Sequence, residues 1–221
     1  MVTLVKSIKQ HPVIQKLIYT TKIRRPSGPQ NFGMQFYQEN SSWKLDAKTC
    51  PCDLEFLEYV KKSEISGKSI FHFGTGTHHV IGLENQQLNQ PNEILGITAS
   101  APEHQAYIRL VLKNKALAKY YKVLFGDIYT LTANTLPPLD IVNLFHLCEF
   151  YLPEHANLLH QNDESLVQLF LSKLNPGGKI LFYSGSIGWG NAEPIVKSFE
   201  AAGKIKLVEK YKHLLIYAKS F

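Results

Sequence analysis

The first 38 residues contain no aspartate or glutamate, yet they hold six bases: Lys6, Lys9, Lys16, Lys22, Arg24 and Arg25. That segment carries the entire net charge of +6 in the 221-residue chain, because 18 basic residues face 18 acidic ones from Glu39 onward. A neutral body argues against nucleic acid as a partner, since wrapping a phosphate backbone needs many cations on one face. Cysteine is equally sparse. Cys50, Cys52 and Cys148 are an odd count, too small for a disulfide framework, and point to a reduced, cytoplasmic setting. No run approaches the roughly 18 apolar residues of a membrane-spanning helix. The N-terminus also lacks the continuous apolar stretch of a secretory signal. Its acid-free, amphipathic character faintly suits an organellar transit peptide, but two arginines and few serines suit a structural helix better. The length allows one well-cored domain plus an appendage.

The appendage comes first. Residues 1–25 read as two short helices divided by Pro12, which fits a first helical position and cannot continue a preceding helix. Val13, Ile14, Leu17 and Ile18 form an apolar stripe, and Arg24 to Pro29 end the segment in turn-forming residues. Such a basic helix can meet anionic lipid, RNA or an acidic partner. A helix lying on the domain with its lysines in water is the simpler account. We expect residues 1–45 to be a helical segment and candidate lid, with 46–221 as the main domain. Phe36, Tyr37 and Trp43 would make that lid apolar.

From position 46 the pattern becomes strand-length apolar runs alternating with amphipathic helices. A helix over 53–60, capped by Asp53, precedes a strand at 69–73 and a glycine turn at 74–77. Helix is expected over 78–88, strand over 93–98, helix over 102–119, and strands over 123–125 and 139–145. Helix at 165–174, a turn at 175–178, strand at 179–183 and helix at 193–202 follow. Two closing strands, 205–211 and 214–219, are separated too briefly for a helical crossover and must pair antiparallel. This alternation predicts an α/β fold, a doubly wound and mostly parallel seven-stranded sheet covered on both faces.

Several of these pieces, in this order, resemble the class I S-adenosylmethionine-dependent methyltransferases over about residues 46–221. They are Ile70-Phe71-His72-Phe73-Gly74-Thr75-Gly76, Ile94-Leu95-Gly96-Ile97-Thr98, Gly126-Asp127-Ile128, Leu139-Asp140-Ile141-Val142 and Asn175-Pro176-Gly177-Gly178-Lys179. The resemblance implies a Rossmann-like fold with S-adenosylmethionine as cofactor. It implies cofactor contacts from His72, Gly74, Gly76, His78, Thr98, Asp127 and Ile128. Asp127 would meet the adenine amino group and Ile128 would flank the base; a turn cap is the structural alternative for Asp127. Glycines at 74 and 76 suit a tight turn that lets backbone approach a ligand.

The departures concern carboxylates. His72 and Thr98 stand where the family usually carries acids, and His78 stands at its third loop glycine. A threonine in place of the acid that accepts both ribose hydroxyls would weaken binding by roughly 1–3 kcal/mol, about ten- to a hundredfold.

His78 and His79, at a helix N-terminus, should be neutral and can contact a ligand carboxylate. After the fourth strand, His146 is the first candidate for a general base and Tyr151 the second. A buried, backbone-bonded histidine is the plain alternative for His146. No metal is expected: the rim histidines lack a fixed ligand spacing, and Cys50-Pro51-Cys52 lacks a second pair.

The expected activity is methylation of a small molecule by direct displacement. Two alternatives stand beside it: a non-catalytic binding protein on the same fold, and transfer of the cofactor's aminocarboxypropyl group.

Overall fold

The computed structural model describes residues 42–220. The two helices expected within residues 1–25, and Phe36 and Tyr37 of the expected lid, lie outside the described residues. Helix α1, Cys52–Lys62, opens with Asp53 and Glu55 in its first turn and closes with Lys61 and Lys62, charges that complement the helix dipole at each end. Its Phe56, Tyr59 and Val60 are buried. Asp53 does not cap the helix, as the sequence suggested. It lies inside the first turn, and no side chain makes the cap bond.

Strand β1 (Ser69–Phe73) lies at the centre of the sheet, so every residue after the first is buried. After it come α2 (Val80–Asn85), β2 (Glu93–Thr98), α3 (Ala101–Lys113), α4 (Leu117–Tyr120) and β3 (Tyr121–Phe125). The second half contains β4 (Leu139–Asn143), α5 (Asp163–Lys173), β5 (Leu174–Tyr183), α6 (Trp189–Ala201), β6 (Ile205–Tyr211) and β7 (Leu214–Lys219).

The seven strands run in the order β3-β2-β1-β4-β5-β7-β6. Neighbours from β3 to β5 pair parallel, and β7 pairs antiparallel with both β5 and β6. The expected doubly wound sheet and antiparallel closing pair are therefore present.

Alternation along β1 divides the core into two layers. Ile70 packs in a layer with Phe56 and Tyr59 of α1, Ile81 of α2 and Tyr107 of α3. Phe71 and Phe73 pack in the other with Leu166, Val167 and Phe170 of α5 and Val196 and Phe199 of α6. Because β1 has β2 on one side and β4 on the other, the strand order reverses between β1 and β4. That reversal opens a crevice at the carboxyl ends of both strands, where open α/β sheets hold ligands.

Several element boundaries differ from the pattern reading. The helix expected over 78–88 is only six residues, because His79 enters at φ 47° and an Asn85–Asn92 network closes the turn beyond it. Asn85 Oδ1 accepts from Asn92 N at 2.9 Å, and Asn85 Nδ2 donates to Asn92 O at 2.8 Å. The helix expected over 102–119 breaks at Asn114, where φ −132° and ψ 86° leave helical space. The turn expected at 175–178 instead lies within β5, at a register shift against β4, with Gly177 at φ 75°. Helix α6 begins at Trp189 and holds Pro194 internally, forgoing one backbone bond near its start.

Candidate functional site

The crevice is floored by the turn after β1. Gly74 has φ 84° and Gly76 φ 53°, left-handed values that a side chain rarely adopts. Close approach requires glycine as well. A Cβ on Gly74 would lie 2.8 Å from His146 Cδ2, and one on Gly76 would lie 2.5 Å from His78 Nε2. Thr75, between them, keeps a buried Oγ1 with no hydrogen-bond partner among the described residues.

Each of two strand ends without a carboxylate of its own has one beside it from a helix. His72, where β1 lacks its carboxylate, is wholly buried, and its Nε2 lies 3.3 Å from Asp53 Oδ1 of α1. Its other nitrogen, Nδ1, faces Asn143 Nδ2 at 3.4 Å, and its ring stacks on Phe56. His72 therefore offers no exposed surface to a ligand and acts on the rim only through Asp53. The other Asp53 oxygen lies 3.8 Å from His78 Nε2. Burial alone would raise the Asp53 carboxyl, but the charges and contacts of His72 and His78 outweigh it and hold it below its usual value.

At the end of β2 the arrangement repeats. Thr98 Oγ1 donates to Glu103 Oε2 at 2.6 Å, and Trp43 N donates to Glu103 Oε1 at 2.9 Å. Glu103 is only 1% exposed. Its burial raises the carboxyl above the ordinary value against the pull of those two bonds. The Trp43 carbonyl accepts from Thr77 N at 2.8 Å and Thr77 Oγ1 at 3.0 Å, so this segment bridges the glycine turn and α3.

His79, beside His78, bonds Tyr121 through Nδ1 at 3.0 Å and the Glu103 carbonyl through Nε2 at 2.9 Å. Burial lowers it to about 4 and also lowers His78, so both rings are neutral at pH 7. The neutral rings agree with the sequence expectation, and desolvation is a cause that expectation did not include.

Asp127, after β3, divides its two oxygens. Oδ1 accepts from Tyr129 N at 2.9 Å and caps a short 3-10 turn, whereas Oδ2 is buried without a hydrogen-bond partner among the described residues. Burial raises its carboxyl. Ile128 is 0% exposed and belongs to the apolar core, so it supports the rim from behind rather than presenting a face to a ligand. Tyr151 is half-buried with its ring edge-on to Tyr129, centroids 5.3 Å apart.

His146 lies over Gly74, with Nδ1 3.1 Å from Glu149 Oε1, and that oxygen also accepts from Ser186 Oγ at 2.5 Å. Burial disfavours the imidazolium, but Glu149 outweighs it and lifts His146 to about 9. With Glu149 on Nδ1, the ring nitrogen left for a ligand or a proton transfer is Nε2. Cys50 and Cys52 lie beside it. The Cys52 thiol lowers Cys50 to about 7.

A glycine turn at the β1/β4 reversal, an acid after β3 and a β5-β7-β6 closing edge together define the architecture. The fold is that of the class I methyltransferases. A putative caffeoyl-CoA O-methyltransferase from Staphylococcus aureus is similar with a TM-score of 0.57, at 9% identity over 93% of this chain and 98% of that one. The CcbJ methyltransferase from Streptomyces caelestis is similar at 0.55, with 12% identity over 81% and 94%. The [4+2]-cyclase SpnF is similar at 0.51, with 17% identity over 76% of this chain; the chain spans 63% of that protein's length. No family model and no curated protein matches the sequence. A cyclase among methyltransferases means that the fold leaves the reaction open. No described helix is long and apolar enough to cross a membrane.

Sequence reading missed Asp53 and Glu103 as rim acids. For Glu103 a signal existed, since Ser100-Ala101-Pro102-Glu103 has capping-box spacing. Ser100 Oγ does accept from Glu103 N, at 3.4 Å, but the Glu103 side chain turns to Thr98 and Trp43.

Proposed function

We propose that the chain binds S-adenosylmethionine in the crevice at the carboxyl ends of β1, β2 and β3 and methylates a small molecule. The observation that carries this reading is Glu103, a buried carboxylate at the end of β2 where the strand itself ends in threonine. The fit rests on two further features. Gly74 and Gly76 leave a cradle that a Cβ would fill, and Asp127 Oδ2 is buried with no hydrogen-bond partner among the described residues.

In this reading Glu103, with Thr98, accepts the ribose hydroxyls once Trp43 N withdraws. Asp127 Oδ2 accepts the adenine amino group, and Gly74, Gly76 and His78 line the turn. When bound, the cofactor supplies an electrophilic methyl on sulfur. The chain's own contribution is position: Tyr151 borders the acceptor, and His146, held by Glu149 above Gly74, lies beside it. Asp53 fixes His72 and His78 and so keeps the glycine turn in place. A small acceptor fits a body whose charge sums to zero from Glu39 onward.

One observation favours a second reading, a non-catalytic binding protein: both Glu103 oxygens are already satisfied, one of them by the Trp43 backbone. Calorimetric titration of the full chain with S-adenosylmethionine and S-adenosylhomocysteine decides between them. Micromolar binding of both supports the enzyme; no heat at millimolar ligand refutes it.

A further inference from the structure

Cys50 and Cys52 flank Pro51 at the start of α1, and the fold brings His146, 94 residues beyond Cys52, to the same place. The two Sγ atoms are 3.5 Å apart, and with an imidazole nitrogen of His146 all three donor atoms lie within 4.8 Å of one another. We propose that Cys50, Cys52 and His146 form a zinc(II)-type site with an open fourth position. This departs from the sequence expectation of no metal, which turned on the lack of a fixed histidine spacing and of a second cysteine pair; the third ligand comes from the loop after β4.

Coordination geometry supports it. Zinc-sulfur bonds of about 2.3 Å and a zinc-nitrogen bond of about 2.05 Å, set at tetrahedral angles, separate sulfurs by about 3.8 Å and sulfur from nitrogen by about 3.6 Å. The thiols lie within about 0.3 Å of that separation, and the imidazole must close by about 1.2 Å at most. A second feature selects the nitrogen. Glu149 is a carboxylate, so it accepts the Nδ1 proton of His146 and leaves Nε2 as the metal donor. A carboxylate behind a ligating histidine, itself held by Ser186, is the usual support for a metal-bound imidazole. Absence of a Cβ at Gly74 gives the His146 ring edge the room it occupies.

The donor set also chooses the metal. Two thiolates and an imidazole suit zinc over magnesium, calcium or manganese, which prefer oxygen. Cys52 is 3% exposed, and the Asp53 carboxylate lies 3.7 Å from its sulfur, adding negative field beside the cation. Asp53 itself is engaged with His72 and His78 and no fourth described side chain joins the group. The remaining position falls to water or to an oxygen or sulfur atom of a bound molecule. A site with three protein ligands and one open position is the catalytic rather than the structural pattern.

The test uses the full chain, reduced with a phosphine and stripped of metal, without any methyl donor, so its outcome does not depend on the function proposed above. Zinc is titrated against a chromophoric chelator, and cobalt(II) is added in a parallel experiment. One zinc per chain should bind with sub-micromolar affinity, and the cobalt form should show sulfur-to-cobalt charge transfer with intense four-coordinate visible bands. Cys50→Ser and Cys52→Ser should each weaken zinc by about a hundredfold or more. Glu149→Gln should weaken it by about 10–100-fold while keeping the cobalt bands, because it positions a ligand without being one. Cys148→Ser should bind as the parent does, and circular dichroism verifies that each variant is folded. Sub-stoichiometric zinc, a cobalt spectrum without charge transfer, or unchanged affinity in both cysteine variants overturns the proposal.

Discussion

Replacing Glu103 by alanine removes the acceptor for two donors in different surroundings. Thr98 Oγ1 is buried, with the whole residue 4% exposed, and it also accepts from Ser100 N. With Glu103 gone its proton has no acceptor, which costs about 1–3 kcal/mol. Trp43 is 47% exposed, so its N–H can turn to water and adds little. Losing an acid from the first turn of α3 adds about 0.3–1 kcal/mol. The sum is about 1.3–4 kcal/mol, or a urea midpoint lower by about 0.7–2 M at a slope near 2 kcal/mol/M. Glu103→Gln should behave differently: its carbonyl can still accept from Thr98 Oγ1 while the exposed Trp43 N–H turns to water, keeping stability within about 1 kcal/mol.

The pH dependence has a definite sign. Burial holds the native Glu103 carboxyl above its unfolded value, so the folded chain keeps that proton to higher pH than the unfolded chain. Wild-type stability therefore falls, relative to Glu103→Gln, as pH rises from the ordinary carboxylate value through the raised native one, and the gap is flat beyond. Urea unfolding read by tryptophan emission at several pH values measures it, and Trp43 reports the bridging segment directly. A wild type that gains on Glu103→Gln over that range, or an alanine variant as stable as the parent, would refute this reasoning.

Three further outcomes follow from the same contacts. Gly74→Ala forces a left-handed residue and a Cβ against His146, and should lower the melting temperature by roughly 3–10 °C in calorimetry, from about 1–3 kcal/mol of strain. Asn85→Ala leaves the buried Asn92 N–H and carbonyl unpaired and should cost about 2–4 kcal/mol in chemical unfolding. Asp127→Asn keeps the cap to Tyr129 N, so stability should change by less than about 1 kcal/mol, while S-adenosylhomocysteine affinity falls by roughly tenfold as an acceptor oxygen becomes an amide donor.

Strand periodicity and the glycine turn were legible because each depends on neighbours in sequence. The closing strands 205–211 and 214–219 matched their expected bounds, and β2 matched at 93–98. Helix ends were harder to read, since the break at Asn114 and the early stop at Asn85 depend on side chains that bond across turns. The rim was only half legible. Thr98 and His72 read as losses because the carboxylates beside them, Glu103 and Asp53, sit on helices that only the fold brings alongside. Likewise Cys50-Pro51-Cys52 lacks a partner in sequence and gains His146 in space.

The central claim is that Glu103 replaces the strand acid as the anchor for an adenosyl cofactor. Paired calorimetric titrations of wild type and Glu103→Gln with S-adenosylhomocysteine test it most directly. The account predicts micromolar binding by the parent and a loss of about ten- to a hundredfold in the variant, with folding unchanged. Equal affinity in the two proteins, or no binding by the parent at millimolar ligand, would contradict it.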